Sequence, residues 1–223
     1  MPSALARPSV SDVHGVLSGR NALIVHFSGS PKGAGRDRGF LYPADLQHVL
    51  HGRANGGVSC STVMPGDVFH GVCRNATGCM GVIVDLMTPT SLTAVSHDDC
   101  GSIELPDGTR TVANPVDIHI KDVEDSIVLR RPGCYNEWVV RDFRCVGIFA
   151  VHPYEISTRQ HLSYPNDMPD WLTPSEPDLN IVTRPISAVS QDFPGMRIFT
   201  FCSGRIVDAL TLSEVRHEDL YSE

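Results

Sequence analysis

The stretch from residue 130 to residue 151, RRPGCYNEWVVRDFRCVGIFAV, contains the pattern that decides the fold. The turn signal at residues 131–133, Arg-Pro-Gly, is followed by two apolar runs, 136–140 and 146–151. Valine, tryptophan and phenylalanine favour a pleated, half-buried surface, so both runs are predicted to be strands with a short connection between them. The first run contains Glu137, whose carboxylate would be costly to place in a dry core without a partner. We therefore expect Glu137 to face solvent or to line a cleft.

Two interpretations of Glu137 follow from this position. It is either a solvent-facing strand residue or a catalytic carboxylate presented by a rigid strand. The residues that precede it in the chain bear on the choice.

Composition predicts a globular chain. The 223 residues are 41% hydrophobic and 20% charged, which is typical of a folded domain with a sizeable core. We expect a lead-in segment at residues 1–20 and a single catalytic-type domain at 21–223, with a proline-rich surface segment near 152–180. No apolar run approaches the ~20 residues of a membrane helix, and the N-terminus lacks the apolar core of a signal peptide. The expected location is cytoplasmic, with no membrane partner.

Charge and cysteine content narrow the function classes. The formal net charge of −8 argues against a broad nonspecific nucleic-acid surface. The seven cysteines are an odd, scattered set, which favours free thiols in a reducing compartment. Cys73 and Cys79 lie close together, but no second pair at zinc spacing accompanies them. No metal cofactor is predicted.

Many short strands, few helices and abundant turns predict an α+β fold with a mixed, mostly antiparallel β core. Outside the stretch around Glu137, the predicted strands are 21–27, 58–63, 80–86, 118–120 and 197–202. The predicted helices are 41–52, a short one at 155–161, and the tail at 208–220.

Three features on the predicted strands are candidates for binding or catalysis. His26 stands near the end of the first strand, a Ser-Cys-Ser-Thr cluster covers residues 59–62, and Glu137 lies on a later strand. In this order, with a helix after the first strand, they resemble the mono-ADP-ribosyltransferase fold, and the Glu137 region is similar to the DNA/RNA-targeting toxins of that family. The resemblance covers roughly residues 20–151.

The resemblance implies a split two-sheet fold and NAD as co-substrate, without a metal. Glu137 would be catalytic, holding the ribose and stabilising the oxocarbenium ion as nicotinamide leaves. His26 would contact the ribose or phosphates of NAD, and Ser59, Ser61 and Thr62 would shape the nicotinamide pocket. The remaining implied contacts are phosphate binding by a basic loop residue (Lys32, Arg36 or Arg38) and stacking on nicotinamide by Tyr42.

The resemblance leaves the acceptor of ADP-ribose undecided between nucleic acid and protein, in a toxin- or effector-like role. Tyr135 stands two residues before Glu137, where arginine-modifying members carry Gln or Glu, and this disfavours an arginine acceptor. The arginines that flank the Glu137 strand would supply a small basic patch or be solvated surface charge; they are Arg130, Arg131, Arg141 and Arg144.

Two other functions remain open on sequence grounds. A non-catalytic binding or inhibitor module of β-rich fold would use Trp138 and Trp171 as anchors. A thiol hydrolase would use Cys60 or Cys134 as its nucleophile, with a histidine as base.

Overall fold

The computed structural model describes residues 6–27, 44–51, 57–67, 80–98, 110–130, 135–161 and 179–221. Its α-helices are α1 (Val10–Ser18), α2 (Ala44–Leu50), α3 (Ile120–Val128), α4 (Ile186–Val189) and α5 (His217–Leu220). The strands of the first half are β1 (Leu23–Phe27), β2 (Val58–Val63), β3 (Met80–Leu86), β4 (Leu92–Ser96) and β5 (Glu137–Val140). Those of the second half are β6 (Phe143–Ala150), β7 (Glu155–His161), β8 (Leu179–Pro185), β9 (Ile198–Cys202) and β10 (Arg205–Asp208).

Eight strands form one sheet in the order β10-β9-β6-β3-β1-β2-β5-β4, and β7 pairs with β8 separately. Every neighbouring pair is antiparallel except β6 and β9, which are parallel. The predicted α+β fold, mostly antiparallel and with few short helices, is confirmed. The predicted division into two sheets is not, because the eight strands are hydrogen-bonded as one.

This sheet is bent, because β5 and β6 are consecutive in the chain but four positions apart in the sheet. Four strand spacings in a flat sheet span about 19 Å. The chain from Val140 to Phe143 spans about 11 Å at most. The end of β5 and the start of β6 meet only if the part formed by β2, β5 and β4 folds back. Asp142, at φ 47°, provides the left-handed turn between the two strands.

Two hydrophobic clusters stabilise this arrangement. The larger one joins buried residues from both limbs of the bend, including Trp138 on β5 and Ile148 on β6. The smaller one contains Phe149 and Phe199, together with Leu220 of α5. Large side chains with no exposed surface dominate both clusters, so burial of apolar area is the main stabilising contribution.

The N-terminal helix belongs to the same core. Ser9 and Asp12 form a capping box that starts α1. Val13, Val16 and Leu17 are buried in the larger cluster. The lead-in was expected to be loosely ordered apart from a short helical turn near Val13 to Leu17. From residue 6 onward it is instead packed against the core, and the helix extends over Val10–Ser18.

Two short elements differ from their sequence predictions. Residues 118–120 are not a strand, because Ile118 ends a 3-10 turn and Ile120 begins α3. Glu155–His161 is strand β7 instead of a helix, since it finds a pairing partner in β8. The described residues at the two ends of the proline-rich segment near 152–180 include β7 and the start of β8.

The C-terminal tail also differs from its predicted helix. The carboxylate of Asp208 accepts hydrogen bonds from the backbone N–H groups of Leu210 and Thr211, which closes a turn. Leu212 has φ 58°, a left-handed conformation that an α-helix does not contain. Only His217–Leu220 is helical.

Candidate functional site

The three strands that carry the predicted site residues are neighbours in the sheet. Strand β2 lies between β1 and β5. Val25 of β1 is paired with Ser61 of β2, and Ser59 of β2 is paired with Val139 of β5. On the far side of β5, Ser96 of β4 is the partner of Glu137. Segments far apart in the chain therefore meet in one part of the sheet.

Glu137 is half-buried at the start of β5, between two fully buried residues, Asn136 and Trp138. Alternation along the strands places the Glu137 side chain on the same side as those of Ser59 and Ser61. The expectation that this carboxylate avoids the dry core is confirmed. Of the two serines, Ser59 is exposed, whereas Ser61 is buried.

Asn136 is the residue that connects this region. Its side-chain oxygen accepts hydrogen bonds from the backbone N–H of Thr62 at 2.8 Å and from the hydroxyl of Ser61 at 3.0 Å. Its side-chain nitrogen donates to the hydroxyl of Thr62 at 2.8 Å and to the carbonyl of Ser126 in α3 at 3.0 Å. Trp138 also reaches this helix, with its ring N–H donating to the Ser126 hydroxyl at 2.9 Å.

These contacts change the roles expected for two residues. Thr62 has no exposed surface, and its hydroxyl accepts from Asn136. The hydroxyl of Ser61 donates to the same amide. Both side chains therefore hold β2 against β5, and Ser59 is the hydroxyl of the cluster that a ligand can reach.

His26 lies on β1 with its Nδ1 atom 2.8 Å from the carbonyl oxygen of Ser59. It is half-buried. By strand alternation, its side chain is on the side of Cys60 and Thr62, opposite to that of Glu137. The imidazole thus reaches the strand that carries the serines without sharing the face of Glu137.

Two predicted NAD contacts, Arg38 and Tyr42, lie outside the described residues, as do Lys32 and Arg36. Two of the flanking arginines are engaged within the fold. Arg130 donates to the carbonyl of Thr62 at 2.5 Å and pairs with Asp67. Arg144 pairs with Asp85 at 2.8 Å.

The cysteine on β2 is in an environment that suppresses its reactivity. Cys60 is 2% exposed. Burial raises the pKa of its thiol well above the usual value, and nearby Cys145 and Glu137 raise this pKa further. Burial also raises the pKa of Cys145 to about 11. An activated thiolate needs the opposite surroundings, so the structure disfavours Cys60 as a nucleophile; Cys134 lies outside the described residues.

Trp138 cannot be a surface anchor, because it has no exposed surface and its ring N–H is bonded inside the core. The other predicted anchor, Trp171, is not among the described residues. The structural role of Trp138 corrects the anchor assignment for this residue.

Metal-binding clusters and membrane-spanning helices are two other features that would indicate a function. Across the described ranges, no three His, Cys, Asp or Glu side chains are grouped as a metal site would need. Among the helices described, none has both the length and the apolar character required to cross a membrane.

Comparisons with known proteins find no match: no family model, no curated protein and no solved structure corresponds to this chain. Function is therefore inferred from the residues themselves.

Sequence reasoning missed Asn136 as a site residue. The sequence did contain a signal for it. Alternation along the strand places Asn136 on the same face as Trp138 and opposite to Glu137, and an amide that is buried there requires hydrogen-bond partners.

Proposed function

We propose that this chain is an NAD-dependent mono-ADP-ribosyltransferase with Glu137 as its catalytic carboxylate. It cleaves the bond between nicotinamide and ribose and transfers ADP-ribose to a macromolecular acceptor. The observation that carries the proposal is the adjacency of β2 and β5, which places Ser59 and Glu137 on the same face of the sheet; His26 lies on neighbouring β1, with its side chain on the other face. Residues that the resemblance assigns to one NAD site lie on three neighbouring strands.

The position of Glu137 suits the chemistry of this cleavage. As the glycosidic bond breaks, its electron pair leaves with nicotinamide, and positive charge develops on the ribose. A carboxylate held on a rigid strand stabilises that charge most effectively when it is partly shielded from water. Glu137 is half-buried and flanked by two immobilised neighbours. The acceptor then supplies the electron pair of the new bond and releases a proton.

The other residues of the proposed site bind NAD. In this proposal, exposed Ser59 contacts the nicotinamide side, and His26 binds from the end of β1. Ser61 and Thr62 support β5 from within. Arg38 neutralises the pyrophosphate and Tyr42 stacks on nicotinamide.

The bend in the sheet supports a split two-sheet arrangement of the kind that the resemblance implies. The connection from Val140 to Phe143 is too short for a flat sheet, so β2, β5 and β4 fold back on the other strands. We propose that NAD enters where the two limbs diverge, next to β1 and β2.

The test is nicotinamide release from NAD by the purified protein, compared with the Glu137→Gln variant. This substitution removes the negative charge and keeps the size of the side chain. Loss of a preorganised electrostatic contact costs about 100-fold to 1000-fold in rate. The matched control is Glu124→Gln, which removes the same charge from an exposed position on α3 and should leave the rate unchanged.

The acceptor is identified in the same assay. NAD labelled in its adenosine half is incubated with cell lysate, and the products are divided between nuclease and protease digestion. Label released by one treatment alone assigns nucleic acid or protein as the acceptor. A folded protein that neither binds nor turns over NAD contradicts the transferase proposal and favours the binding module.

A further inference from the structure

We propose that Asn136 is a positioning residue, which sets the Glu137 carboxylate against β2 by fixing β5 to both β2 and α3. The catalytic consequence of this inference depends on the proposed transferase function. The positions of Glu137 and Ser61 relative to Asn136 do not depend on that function, and they can be measured without turnover.

Every hydrogen-bonding position of the Asn136 amide is used. An asparagine side chain has two donor hydrogens and an oxygen with two lone pairs. The oxygen accepts from the Thr62 N–H and the Ser61 hydroxyl, and the nitrogen donates to the Thr62 hydroxyl and the Ser126 carbonyl. With no exposed surface on Asn136, water cannot replace any of these four bonds. One side chain thus holds three elements in a single geometry.

Asn136 acts at the point where the paired register of β2 and β5 ends. That register runs from Val58↔Val140 to Cys60↔Trp138. Beyond Cys60, the Thr62 N–H donates to the Asn136 side chain. The amide therefore continues the connection between the two strands at the end of β5 where Glu137 lies.

Glu137 is fixed from both sides along its strand. Its preceding neighbour, Asn136, is bonded to the backbone of Ser126, and its following neighbour, Trp138, is bonded to the hydroxyl of the same residue. Ser126 is itself fixed, because its hydroxyl donates to the Val123 carbonyl at 2.7 Å. Of these two neighbours, Asn136 is the one whose side chain is also bonded to β2. Asn136 and not Trp138 therefore sets the position of Glu137 relative to the serines of β2.

This difference provides a matched control. Asn136→Ala removes all four bonds, whereas Trp138→Phe removes the one bond to Ser126 and retains an aromatic ring in the core. Asn136→Asp keeps an oxygen that accepts from Thr62 and Ser61, and it replaces the donor nitrogen. If Asn136 only stabilised the fold, both the alanine and the phenylalanine variants would lower stability with little change in catalysis of the folded protein.

The experiment measures kcat and KM for nicotinamide release, together with amide hydrogen exchange at Thr62. The reference amide is Ile148, which donates to the Arg197 carbonyl in a different part of the sheet. In Asn136→Ala, we expect faster exchange at Thr62 but not at Ile148. Small displacements of a catalytic group are costly, so we expect kcat to fall about 10-fold to 100-fold with KM nearly constant. Asn136→Asp should recover part of kcat, and Trp138→Phe should retain most of it.

Each other result overturns the inference. Unchanged exchange at Thr62 in Asn136→Ala would mean that the amide does not join the strands. Faster exchange with full kcat would mean that it has no influence on Glu137. If the wild-type protein does not turn over NAD, the proposed function fails, and nuclear Overhauser contacts between Ser61 and Glu137 decide the positioning: their loss in Asn136→Ala supports it, and their persistence overturns it.

Discussion

The Nε2 atom of His217 lies 2.9 Å from the carbonyl oxygen of Ala22, so α5 is tied to the residue that precedes β1. His217 is 4% exposed, and its ring also contacts that of Tyr221, with centroids 4.9 Å apart. Burial lowers the pKa of His217, although the hydrogen bond to Ala22 acts in the opposite direction. The C-terminal helix is thus held by a histidine that the fold keeps neutral.

This arrangement predicts a loss of stability in mild acid. The folded-state pKa of His217 is below its unfolded value of about 6.5, so the unfolded chain binds the proton more readily. The stabilisation is complete above that unfolded value and declines as the pH falls toward the folded pKa. The slope contributed by one such group is at most about 1.4 kcal/mol per pH unit. This slope is measured by urea unfolding at a series of pH values above and below the ordinary pKa of histidine.

His217→Gln is the control for that experiment. Glutamine keeps an N–H donor for the Ala22 carbonyl but does not titrate. We expect its free energy of unfolding to depend less on pH than that of the wild type in this window. Parallel pH profiles for the two proteins would show that His217 is not the responsible group.

A second prediction concerns Asp85, which is 5% exposed and lies 2.8 Å from Arg144 and 3.0 Å from His14. Burial alone raises the pKa of Asp85, but its close contacts with His14 and Arg144 outweigh burial and lower the pKa. Removing Arg144 leaves a buried carboxylate with one partner fewer. Because the Arg144 side chain is 35% exposed, we expect Arg144→Met to lower the free energy of unfolding by about 1–3 kcal/mol.

The double variant Asp85→Asn/Arg144→Met separates charge burial from packing. When Asp85 is replaced as well, the loss of Arg144 no longer leaves a buried charge without its partner. The double variant should therefore lose less free energy of unfolding than the sum of the losses in the two single variants. Additive effects in chemical denaturation would mean that the two residues do not interact energetically.

A third prediction concerns Gly81 on β3, next to the strand that carries His26. A Cβ at this position would lie 2.4 Å from a methyl carbon of Val25 and 2.5 Å from the carbonyl oxygen of His26. Since the backbone cannot move aside cheaply, Gly81→Ala should lower the free energy of unfolding by about 1–3 kcal/mol. It should also weaken NAD binding, if His26 contributes to that site as proposed.

Gly15 on α1 is the matched control for the added methyl group, because a Cβ at this position would meet no heavy atom within 4 Å beyond its own stretch of helix. Alanine has the higher helix propensity, so Gly15→Ala should raise the free energy of unfolding by roughly 0.5–1 kcal/mol. Thermal unfolding of both variants tests the pair. Equal effects would contradict the close packing around Gly81.

A fourth prediction distinguishes the transferase from a thiol hydrolase. Cys202 is exposed, whereas Cys60 is buried with a raised pKa. Limited alkylation of the folded protein, read by mass spectrometry, should therefore modify Cys202 before Cys60. Cys60→Ser should retain nicotinamide release. Rapid modification of Cys60 with loss of activity would favour the hydrolase.

Local residue patterns predicted much of this protein. The apolar and β-branched runs at 58–63, 80–86 and 136–140 are strands β2, β3 and β5, because side-chain alternation and burial are properties of short segments. The cost of burying a carboxylate without a partner correctly predicted that Glu137 avoids the dry core. The region from 155 to 161 was predicted wrongly, since its strand state comes from pairing with β8, which lies outside any local window.

The sequence by itself determined that segments such as 58–63, 80–86 and 136–140 are strands, and that a carboxylate stands at the start of β5. The tertiary structure decided that β2 lies between β1 and β5, that Thr62 and Ser61 turn inward, and that Asn136 joins β2, β5 and α3. Strand formation depends on neighbours in the chain, but sheet order and hydrogen-bond partners depend on long-range packing. A buried amide reveals only that it needs partners, and the folded chain determines which ones it finds.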